Sequence, residues 1–559
     1  MDKVFDEYIE RVKTAVLSKY TAASISKWIE KHTTYAGQPY SYRDHEFQER
    51  IMGDTSRDVV VMKCSQVGMS EVSARMSLAL VNVLTPYTVA YTLPTAHFAG
   101  TFAKTRIDPV IDGSKVMKGN VHKTNNNSEV KQFGDSFLYV RGAASSNAPI
   151  SIPVDHLVHD EVDFSDQEVL GQYVSRLTHS KWRRTTKIST PTLPKFGIHK
   201  AFQETRRFFN LCKCNHCNHW FQPDYYNHVK IPGFTGELVS INKSLLAKIR
   251  FKEAVLRCPA CGAVPSLQKE HRQWVQENPD DDFIGAGYQI TPFDAPNVID
   301  APYLVEASTK YDRIQDFVNF NCGLAAEDNE ATLTAADFDN VFYTGEKPGG
   351  TVNVMGVDVG NTYHICIAAI DAWGDMHVIH TEQVPMSKAR VRYHELRKQF
   401  RVVCTVIDSM PHAETVMTLQ AQDINLYASV YMKSKSVVTH EVVEKIKEED
   451  KGKEFVRQVN VNRSKAFDGY MEYIREGHLS ILESAERETI IDHHMSMKRV
   501  KVYDNEGGEM TYSWQKTDGV DHYHHTFLYC WIAGKIRAVG KSLIMLPSFK
   551  IFTFRNKAF

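Results

Sequence analysis

Small and polar residues follow an apolar run near residue 60, in a pattern that could bind phosphate. Residues 59–62 are apolar, a turn from Lys63 to Ser70 follows, and a helix-forming run begins at Val72. A turn between a strand and a helix points backbone N–H groups at an anion. Lys63 could fold over a phosphate, while Ser70 offers the hydroxyl that such a loop supplies to Mg²⁺. The segment therefore predicts an ATP site, with an ordinary buried strand and helix as the alternative.

The turn departs from the standard phosphate-binding pattern at both ends. The pattern G-x-x-x-x-G-K-[ST] would place Gly at 63 and Lys at 69, whereas this chain has Lys63 and Met69. Gln66 lies inside the turn, and Gly68 lets the backbone come close to a ligand. Gln48, shortly before the strand, could read the adenine edge with its amide; an ordinary exposed Gln is the alternative. The cation that the pattern needs is thus present, but at the front of the turn.

Acidic residues end a second apolar strand. Residues 156–159 lead into Asp160 and Glu161. After a phosphate loop, such an Asp orients the magnesium shell and the Glu can polarise the attacking water. Further on, a predicted strand ends in Ser-Thr-Pro at residues 189–191, where ATP-driven motors sense the γ-phosphate. This order predicts ATP hydrolysis, although a lone Asp-Glu pair is usually solvated surface.

Two Cys-x-x-Cys pairs carry the strongest local chemistry. The pairs lie 40 residues apart and comprise Cys214, Cys217, Cys258 and Cys261. Closing a loop of that length costs about 3 kcal/mol, against about 10–16 kcal/mol for binding a structural zinc ion. Four thiolates fill a tetrahedral shell and leave no position open for catalysis. The pattern predicts a structural zinc site, with Cys212 and His216 as alternative ligands and four reduced thiols as the metal-free alternative.

The C-terminal half contains two aspartates at predicted strand ends. One strand ends at Asp358, a hairpin and a helix follow, and a later strand ends at Asp408. That order is typical of a ribonuclease-H-like domain. Two such carboxylates would hold metal ions about 4 Å apart on either side of a phosphodiester. Like charges at that distance are unfavourable until a cation binds, so the pair favours a nuclease site over ordinary turn residues.

A third ligand for this nuclease metal site should come from a late helix. The polar run from Asp518 to His525 opens an apolar helix and is the metal-competent cluster of that region. Asp and His are both metal ligands. A helix N-cap would explain Asp518 or Asp521 but not three His residues. Asp521 and His525 are therefore the candidate ligands, for Mg²⁺ or Mn²⁺.

Composition sets the broad class of the protein. The chain has 559 residues, of which 43% are hydrophobic and 24% charged, as in ordinary globular proteins. A chain of that length is too long to fold around one hydrophobic core, so at least two domains are expected. A net charge of −1 means that a polyanion must be held by local basic patches. Ten Cys without a signal-like segment indicate a reducing compartment, and no apolar run is long enough to span a membrane.

The motifs and the composition shifts predict an α/β protein with two main domains. The expected parts are an N-terminal helical segment at 1–45, a P-loop ATPase domain of the RecA/ASCE type at 46–335 with the four-cysteine zinc-binding insertion at 210–265, a linker at 336–350, an RNase-H-like nuclease domain at 351–540 and a basic, aromatic tail at 541–559.

This order of motifs resembles the large subunit of tailed-bacteriophage terminases, in the lambda-like branch with a Cys-knuckle insertion. The resemblance covers about residues 25–535 and depends on the ordered set. It implies a motor that uses ATP to move double-stranded DNA into a prohead, and a metal-dependent nuclease that cuts concatemeric DNA. It further implies a homo-oligomeric ring on the portal, a small-subunit partner and a location in the host cytoplasm.

Roles carried over by position follow from the same resemblance. It implies that Ser70 and Asp160 bind the magnesium of ATP, that Glu161 activates water, and that residues 189–191 couple hydrolysis to movement. It does not specify the packaging sequence, the cut rule, the ring number or the Arg that acts in trans, for which the candidates are Arg141, Arg176 and Arg183.

One departure from the family concerns the nuclease. Many of its members begin the last helix with D-H-x-x-D, and His525 occupies the position of the final Asp. Either Asp521 takes over, or His525 coordinates directly, or the nuclease is weakened; we expect activity with Mn²⁺ favoured over Mg²⁺. The alternatives are a DNA-translocating ATPase whose degenerate nuclease domain serves for docking, and a non-enzymatic zinc-ribbon DNA-binding assembly protein.

Overall fold

The structure, a computed structural model, describes residues 23–144, 152–280, 282–311, 313–327, 332–345, 352–432, 438–442, 457–503, 510–517 and 519–539. Asp518, the tail at 541–559 and the first 22 residues of the expected N-terminal segment lie outside the described residues. The chain divides into two compact units. The first lies within Met1–Glu327 and includes Lys501–Thr511; the second lies within Asp328–Val500 and Tyr512–Phe559.

An eleven-stranded sheet forms the centre of the first unit. Its strands are β1 (Asp58–Lys63), β2 (Thr88–Leu93), β3 (Val121–Asn126), β4 (Val130–Phe133), β5 (Ser136–Gly142), β6 (His156–Asp160), β7 (Arg184–Ser189), β8 (Arg206–Lys213), β9 (Trp220–Phe221), β10 (Arg272–Gln276) and β11 (Ala286–Ile290). Their spatial order is β9-β8-β11-β1-β7-β6-β2-β5-β4-β3, with β10 paired to β8.

The centre of this sheet is parallel, from β11 through β1, β7, β6 and β2 to β5. Its apolar runs explain this arrangement, because parallel strands are covered on both faces and need apolar residues throughout. All five residues of β6 are buried, as are the last five of β1. The predicted α/β fold is confirmed, and the carboxyl ends of β1, β7 and β6 meet at one edge of the sheet.

Helices cover this sheet. They are Ala23–His32, Phe47–Met52, α1 (Met69–Val83), Ala96–Phe102, Asp108–Gly113, Lys115–Asn120, Gln167–Tyr173, α2 (Gly197–Gln203), Tyr225–His228, Lys243–Leu246, Ala301–Ser308 and Ile314–Phe317. Helix α1 begins directly after the predicted phosphate-binding turn, and its residues from Val72 to Val81 are buried. Two-residue strands pair at Thr34–Tyr35 with Gln38–Pro39, and at Val229–Lys230 with Val255–Leu256.

A nine-stranded sheet forms the centre of the second unit. Its strands are β12 (Phe342–Tyr343), β13 (Val352–Asp358), β14 (Thr362–Ile370), β15 (Met376–Pro385), β16 (Cys404–Asp408), β17 (Leu426–Tyr431), β18 (Val438–Val442), β19 (Arg457–Val461) and β20 (Leu479–Leu482). Their spatial order is β12-β20-β15-β14-β13-β16-β17-β19-β18. The antiparallel meander β13-β14-β15 followed by parallel β16 and β17 is the arrangement expected of a ribonuclease-H-like domain.

The helices of the second unit are Met386–Gln399, Ala413–Gln422, Arg463–Arg475, Arg487–Met495 and α3 (His522–Val539). A further ladder pairs Met497–Tyr503 with Met510–Lys516. Helix α3 lies so close to β13 that a Cβ at Gly356 would collide with the carbonyl oxygen of Thr526. Only glycine permits this approach, which places the first turn of α3 over the end of β13. No helix among the described residues is both long and apolar enough to cross a bilayer.

Candidate functional site

The predicted phosphate-binding turn lies between β1 and α1. Gly68 has a φ of 71° and precedes the first residue of α1, without a side chain that caps the helix. The first amides of a helix lack internal acceptors, so this end of α1 can receive an anion. Gln66 is exposed and also has a positive φ, of 64°. Met69, in contrast, has its side chain in the core, so only its backbone could contact a phosphate.

Gln48 lies behind the turn. Its Nε2 donates to the carbonyl oxygen of Val67 at 2.8 Å, and the hydroxyl of Tyr40 donates to its Oε1 at 3.2 Å. The side chain is 1% exposed. A Cβ at Gly68 would lie 2.8 Å from this Nε2, so Gly68 is needed for the amide to fit. Gln48 therefore supports the turn, and its contact with adenine stays a prediction.

Lys63 and Glu161 meet at the carboxyl edge of the sheet. The Lys63 Nζ lies 3.5 Å from Oε1 of Glu161, and Lys63 is only 5% exposed. Burial alone would lower the pKa of Lys63, but the carboxylates of Glu161 and Asp160 outweigh it and raise that pKa overall. Burial also raises the pKa of Glu161, against the opposing effects of Lys63 and of the Thr190 N–H. A carboxylate with a raised pKa is suited to take a proton from water.

Asp160 is fixed at the end of β6. It is 1% exposed, and its Oδ2 accepts a hydrogen bond from the hydroxyl of Tyr91 at 2.6 Å. Tyr91 lies on the neighbouring strand β2, with which β6 pairs in parallel register. Glu161 follows with a φ of 56°, which turns the chain sharply after the strand. Both carboxylates remain close enough to Lys63 to raise its pKa.

Asp163 connects this edge to the segment after β7, a role that sequence reasoning missed. Its Oδ2 accepts from the backbone N–H of Thr192 at 2.7 Å and from the Thr192 hydroxyl at 2.6 Å, and its Oδ1 accepts from the N–H of Ile198 at 2.6 Å. The backbone N–H of Asp163 also donates to the hydroxyl of Ser189 at 3.2 Å. The segment from Ser189 to Thr192 is thus bonded to Asp163 at both of its ends. The only signal in the sequence was the third acidic residue of Asp-Glu-Val-Asp.

The four cysteines form one cluster. Their sulfur atoms all lie within 4.8 Å of one another, with Sγ separations of 3.7 Å for Cys214–Cys261 and for Cys217–Cys258. A tetrahedral zinc ion with Zn–S bonds of about 2.3 Å needs sulfur separations of about 3.8 Å, so the cluster is compatible with zinc. Cys212 is outside the cluster, where its thiol donates to the carbonyl oxygen of Ser266.

Matching turns shape the two halves of this cysteine cluster. The N–H of Asn218 donates to the carbonyl oxygen of Cys214 at 2.8 Å, and the N–H of Gly262 donates to that of Cys258 at 2.9 Å. Asn218 and Gly262 both have positive φ, 61° and 71°. His216, the other alternative ligand, is exposed, and no metal-competent group among the described residues includes it.

Asp358 and Asp408 end adjacent parallel strands of the second unit. Strands β13 and β16 pair with Val357 opposite Ile407, so the two aspartates follow side by side. Burial and the charge of Asp358 raise the pKa of Asp408 to about 6. This is the behaviour expected of two carboxylates that share a site without a cation.

The first turn of α3 supplies His522 rather than Asp521 or His525 to Asp358. The Nδ1 of His522 lies 2.7 Å from Oδ2 of Asp358. Asp521 and His525 contact each other, with Nε2 3.3 Å from Oδ2. Although burial opposes it, the contact with His525 lowers the pKa of Asp521. The metal-ligand roles of Asp521 and His525 stay predictions.

His364 also lies at this site, and sequence reasoning missed it. It is placed directly opposite Asp358 in the antiparallel pairing of β13 with β14. Asp358, His364 and His522 form a group of potential metal ligands whose donor atoms lie within 4.8 Å of one another. The sequence contained a signal for His364: the short turn between β13 and β14 determines which residue of β14 pairs with Asp358.

Part of the chain matches a known protein family. Residues 34–278 match the family of the phage terminase large subunit gpA, ATPase domain. No curated protein matches the chain significantly.

Several solved structures are similar in part. The large terminase of bacteriophage HK97 is 10% identical over 91% of this chain and 98% of its own, with a TM-score of 0.45. The large terminase of the thermophilic bacteriophage D6E is 10% identical over 89% and 100%, with a TM-score of 0.30. The large terminase nuclease of the thermophilic phage G20c is 14% identical over 33% and 82%, with a TM-score of 0.22.

The cysteine cluster predicts that the protein contains zinc and that only mutation of the cluster cysteines removes it. We expect the purified protein to contain about one zinc ion per chain, because four thiolates complete a tetrahedral shell. Cys261→Ser should lose most of that zinc, as measured by inductively coupled plasma mass spectrometry. Cys212→Ser is the matched control and should keep it, since Cys212 bonds to Ser266 instead. Equal zinc contents in the two variants would contradict a site made of these four sulfurs.

Asp163 predicts a local effect on the segment after β7. In Asp163→Asn an NH₂ group replaces one acceptor oxygen and faces an N–H donor, which costs about 1–3 kcal/mol when buried. Hydrogen–deuterium exchange of peptides covering 189–198 should become about 10-fold faster or more. Asp166→Asn is the control, because Asp166 caps the helix Gln167–Tyr173 and Asn caps equally well. Unchanged exchange in Asp163→Asn would show that these bonds do not hold the segment.

Proposed function

We propose that the chain is an ATP-driven DNA-packaging motor joined to a nuclease, because residues 34–278 match the family of ATPase domains of the phage terminase large subunit gpA. The observation that carries the ATPase part is the meeting of Lys63 and Glu161, 3.5 Å apart, beside the open end of α1. A cation, a carboxylate and helix amides at one sheet edge are the groups that phosphoryl transfer requires.

ATP would bind at the turn between β1 and α1. The amides at the start of α1 would hold the phosphates, while Ser70 and Asp160 would hold the accompanying Mg²⁺. Lys63 would leave Glu161 and turn to the phosphates, because a more highly charged anion competes for the same ammonium. Glu161 would then be free to take a proton from the attacking water. The contact between Lys63 and Glu161 is, in this proposal, the resting arrangement.

Hydrolysis would be sensed through the segment after β7. Loss of the γ-phosphate would change the charge next to Glu161, whose pKa the nearby N–H of Thr190 lowers. Asp163, two residues after Glu161, holds Thr192 through two hydrogen bonds and donates its own N–H to the hydroxyl of Ser189. A movement of the chain at Glu161 would therefore reach residues 189–192 through Asp163, which supports the role of this segment in coupling hydrolysis to DNA movement.

The second unit would cut DNA with divalent metal ions. Asp358 and Asp408 end neighbouring parallel strands, and the raised pKa of Asp408 reflects burial and repulsion from Asp358. Mg²⁺ or Mn²⁺ between them would offset that repulsion and polarise a phosphodiester. Zinc at the four cysteines would be structural, since no coordination position is left open.

The partners would be those of a packaging motor. We propose that the chain binds double-stranded DNA, acts with a small subunit and assembles as a homo-oligomeric ring on the portal of a prohead in the host cytoplasm. With a net charge of −1, DNA must be held by local basic patches rather than by the overall field. Such binding should weaken steeply with salt.

Replacement of the proposed base should stop hydrolysis and leave nucleotide binding. Glu161→Gln removes a general base, so kcat for ATP should fall about 100-fold or more. Binding of a fluorescent ATP analogue should change less than about threefold, because the turn and Lys63 are intact. Glu168→Gln, an exposed position on the helix that follows, is the matched control and should keep full activity. Hydrolysis that survives in Glu161→Gln would rule out this role.

Cutting should depend on the strand-end aspartates and not on the ATPase site. Asp408→Asn should lower the nicking of supercoiled plasmid in Mn²⁺ about 100-fold or more, because a metal contact contributes several kcal/mol. ATP hydrolysis measured on the same sample should be unchanged. Asp339→Asn, an exposed aspartate of the same unit, serves as the control. If Asp408→Asn cuts DNA like the wild type, Asp408 is not part of the nuclease.

A further inference from the structure

Donors from three separate elements meet at the end of β13. Asp358 ends that strand, His364 lies on the antiparallel neighbour β14, and His522 begins α3. Their potential ligand atoms all lie within 4.8 Å of one another. The rings of His364 and His522 stack, with centroids 4.3 Å apart and planes inclined by 19°. This group contains one oxygen ligand and two nitrogen ligands.

The backbone determines this meeting. Asp358 and His364 are directly opposite each other in the ladder between β13 and β14, so their side chains share one face of the sheet. The close approach of α3 to Gly356 brings Thr526 against β13. His522 lies one turn earlier on the same helix, and therefore above Asp358. The three donors are fixed by register and packing rather than by a loop.

His364 provides an independent indication of a ligand. It is 5% exposed, and its buried Nδ1 has no hydrogen-bond partner among the described residues. A buried polar atom without a partner costs about 1–3 kcal/mol, so a structure that keeps one needs a reason. A cation would supply the missing partner to this imidazole.

The neighbouring candidates are already engaged. Asp521 contacts His525, and Nδ1 of His525 lies 2.8 Å from the hydroxyl of Tyr431. Asp408 belongs to no group of three or more potential ligands among the described residues. The carboxylate of Asp358, in contrast, contacts Nδ1 of His522 at 2.7 Å. A cation between this Nδ1 and the carboxylate would take the place of the proton that the contact shares, since metal ligands bind in their deprotonated form.

We propose that Asp358, His364 and His522 form a binding site for a divalent transition-metal ion. This site rests on the proposed nuclease function for its role, since Asp358 would belong both to it and to the pair with Asp408. Two imidazoles and one carboxylate suit Mn²⁺, Co²⁺ or Zn²⁺, whereas Mg²⁺ prefers oxygen ligands throughout. With metal–ligand bonds of about 2.1 Å, His522 and Asp358 would move slightly apart, because their 2.7 Å contact is shorter than the spacing of two ligands on one ion. The nuclease would then use a nitrogen-rich ion beside an oxygen-rich one.

Binding of Mn²⁺ to the full-length protein tests the proposal. Free Mn²⁺ would be followed by electron paramagnetic resonance during titration, without nucleotide. We expect His364→Asn and His522→Asn to weaken binding about 10-fold or more. His394→Asn, which removes an imidazole of the same unit that contacts Gln422, should bind like the wild type. The buried His364→Asn variant could fail to fold, whereas His522 is partly exposed and its replacement disturbs the core less. Thermal melting would confirm that both variants are folded.

The outcomes separate this site from the proposed nuclease. Weaker Mn²⁺ binding in both histidine variants supports the site, even if wild-type protein fails to cut plasmid and the nuclease proposal falls. Wild-type affinity in both variants overturns the site, whether or not the wild type cuts DNA. Weakening in Asp521→Asn that equals the weakening in the two histidine variants would also overturn it, because the ligands would then include Asp521.

Discussion

The buried ammonium group of Lys63 constrains the whole functional edge of the first unit. Moving an isolated ammonium out of water costs several kcal/mol, and this cost is offset only when carboxylates or anions are close. Lys63 is 5% exposed, and Glu161 and Asp160 are the groups that raise its pKa. Lys63 is the last residue of β1, and pairing with the neighbouring strands fixes its backbone. Its charge must therefore be matched by residues at the ends of nearby strands.

Strand order provides that match. One strand, β7, lies between β1 and β6, so the segment after β7 leaves the sheet between the strand ends that carry Lys63 and Asp160. Ser189 and Thr192 of this segment are hydrogen-bonded to Asp163, and the N–H of Thr190 lowers the pKa of Glu161. A change in the charge at the turn therefore acts next to a segment that the acidic residues hold. The arrangement makes this edge a single electrostatic unit rather than a set of independent motifs.

Sequence reasoning identified what the chain encodes locally and missed what depends on register. Lys63, Glu161 and the four cysteines were recognisable because short patterns and strand ends mark them. The α/β class was recognisable too, because long apolar strands alternate with helical periods. His364 was missed since its importance comes from pairing opposite Asp358.

Contacts between residues far apart in the sequence also decide the surroundings of Gln48 and His525, and the sequence alone does not reveal them. The sequence suggested that Gln48 could read a base, but the fold buries its amide against Val67. It singled out His525 on α3, although His522, one turn earlier, is the residue that reaches Asp358. Helix periodicity identifies the apolar face of α3 but not which of its residues lie over the end of β13; the close approach at Gly356 is a contact between elements far apart in sequence. Two strand-end carboxylates alone would be a buried pair that repel each other. The imidazoles that converge there can share a cation with Asp358. A bound cation would offset the repulsion and stabilise the folded domain.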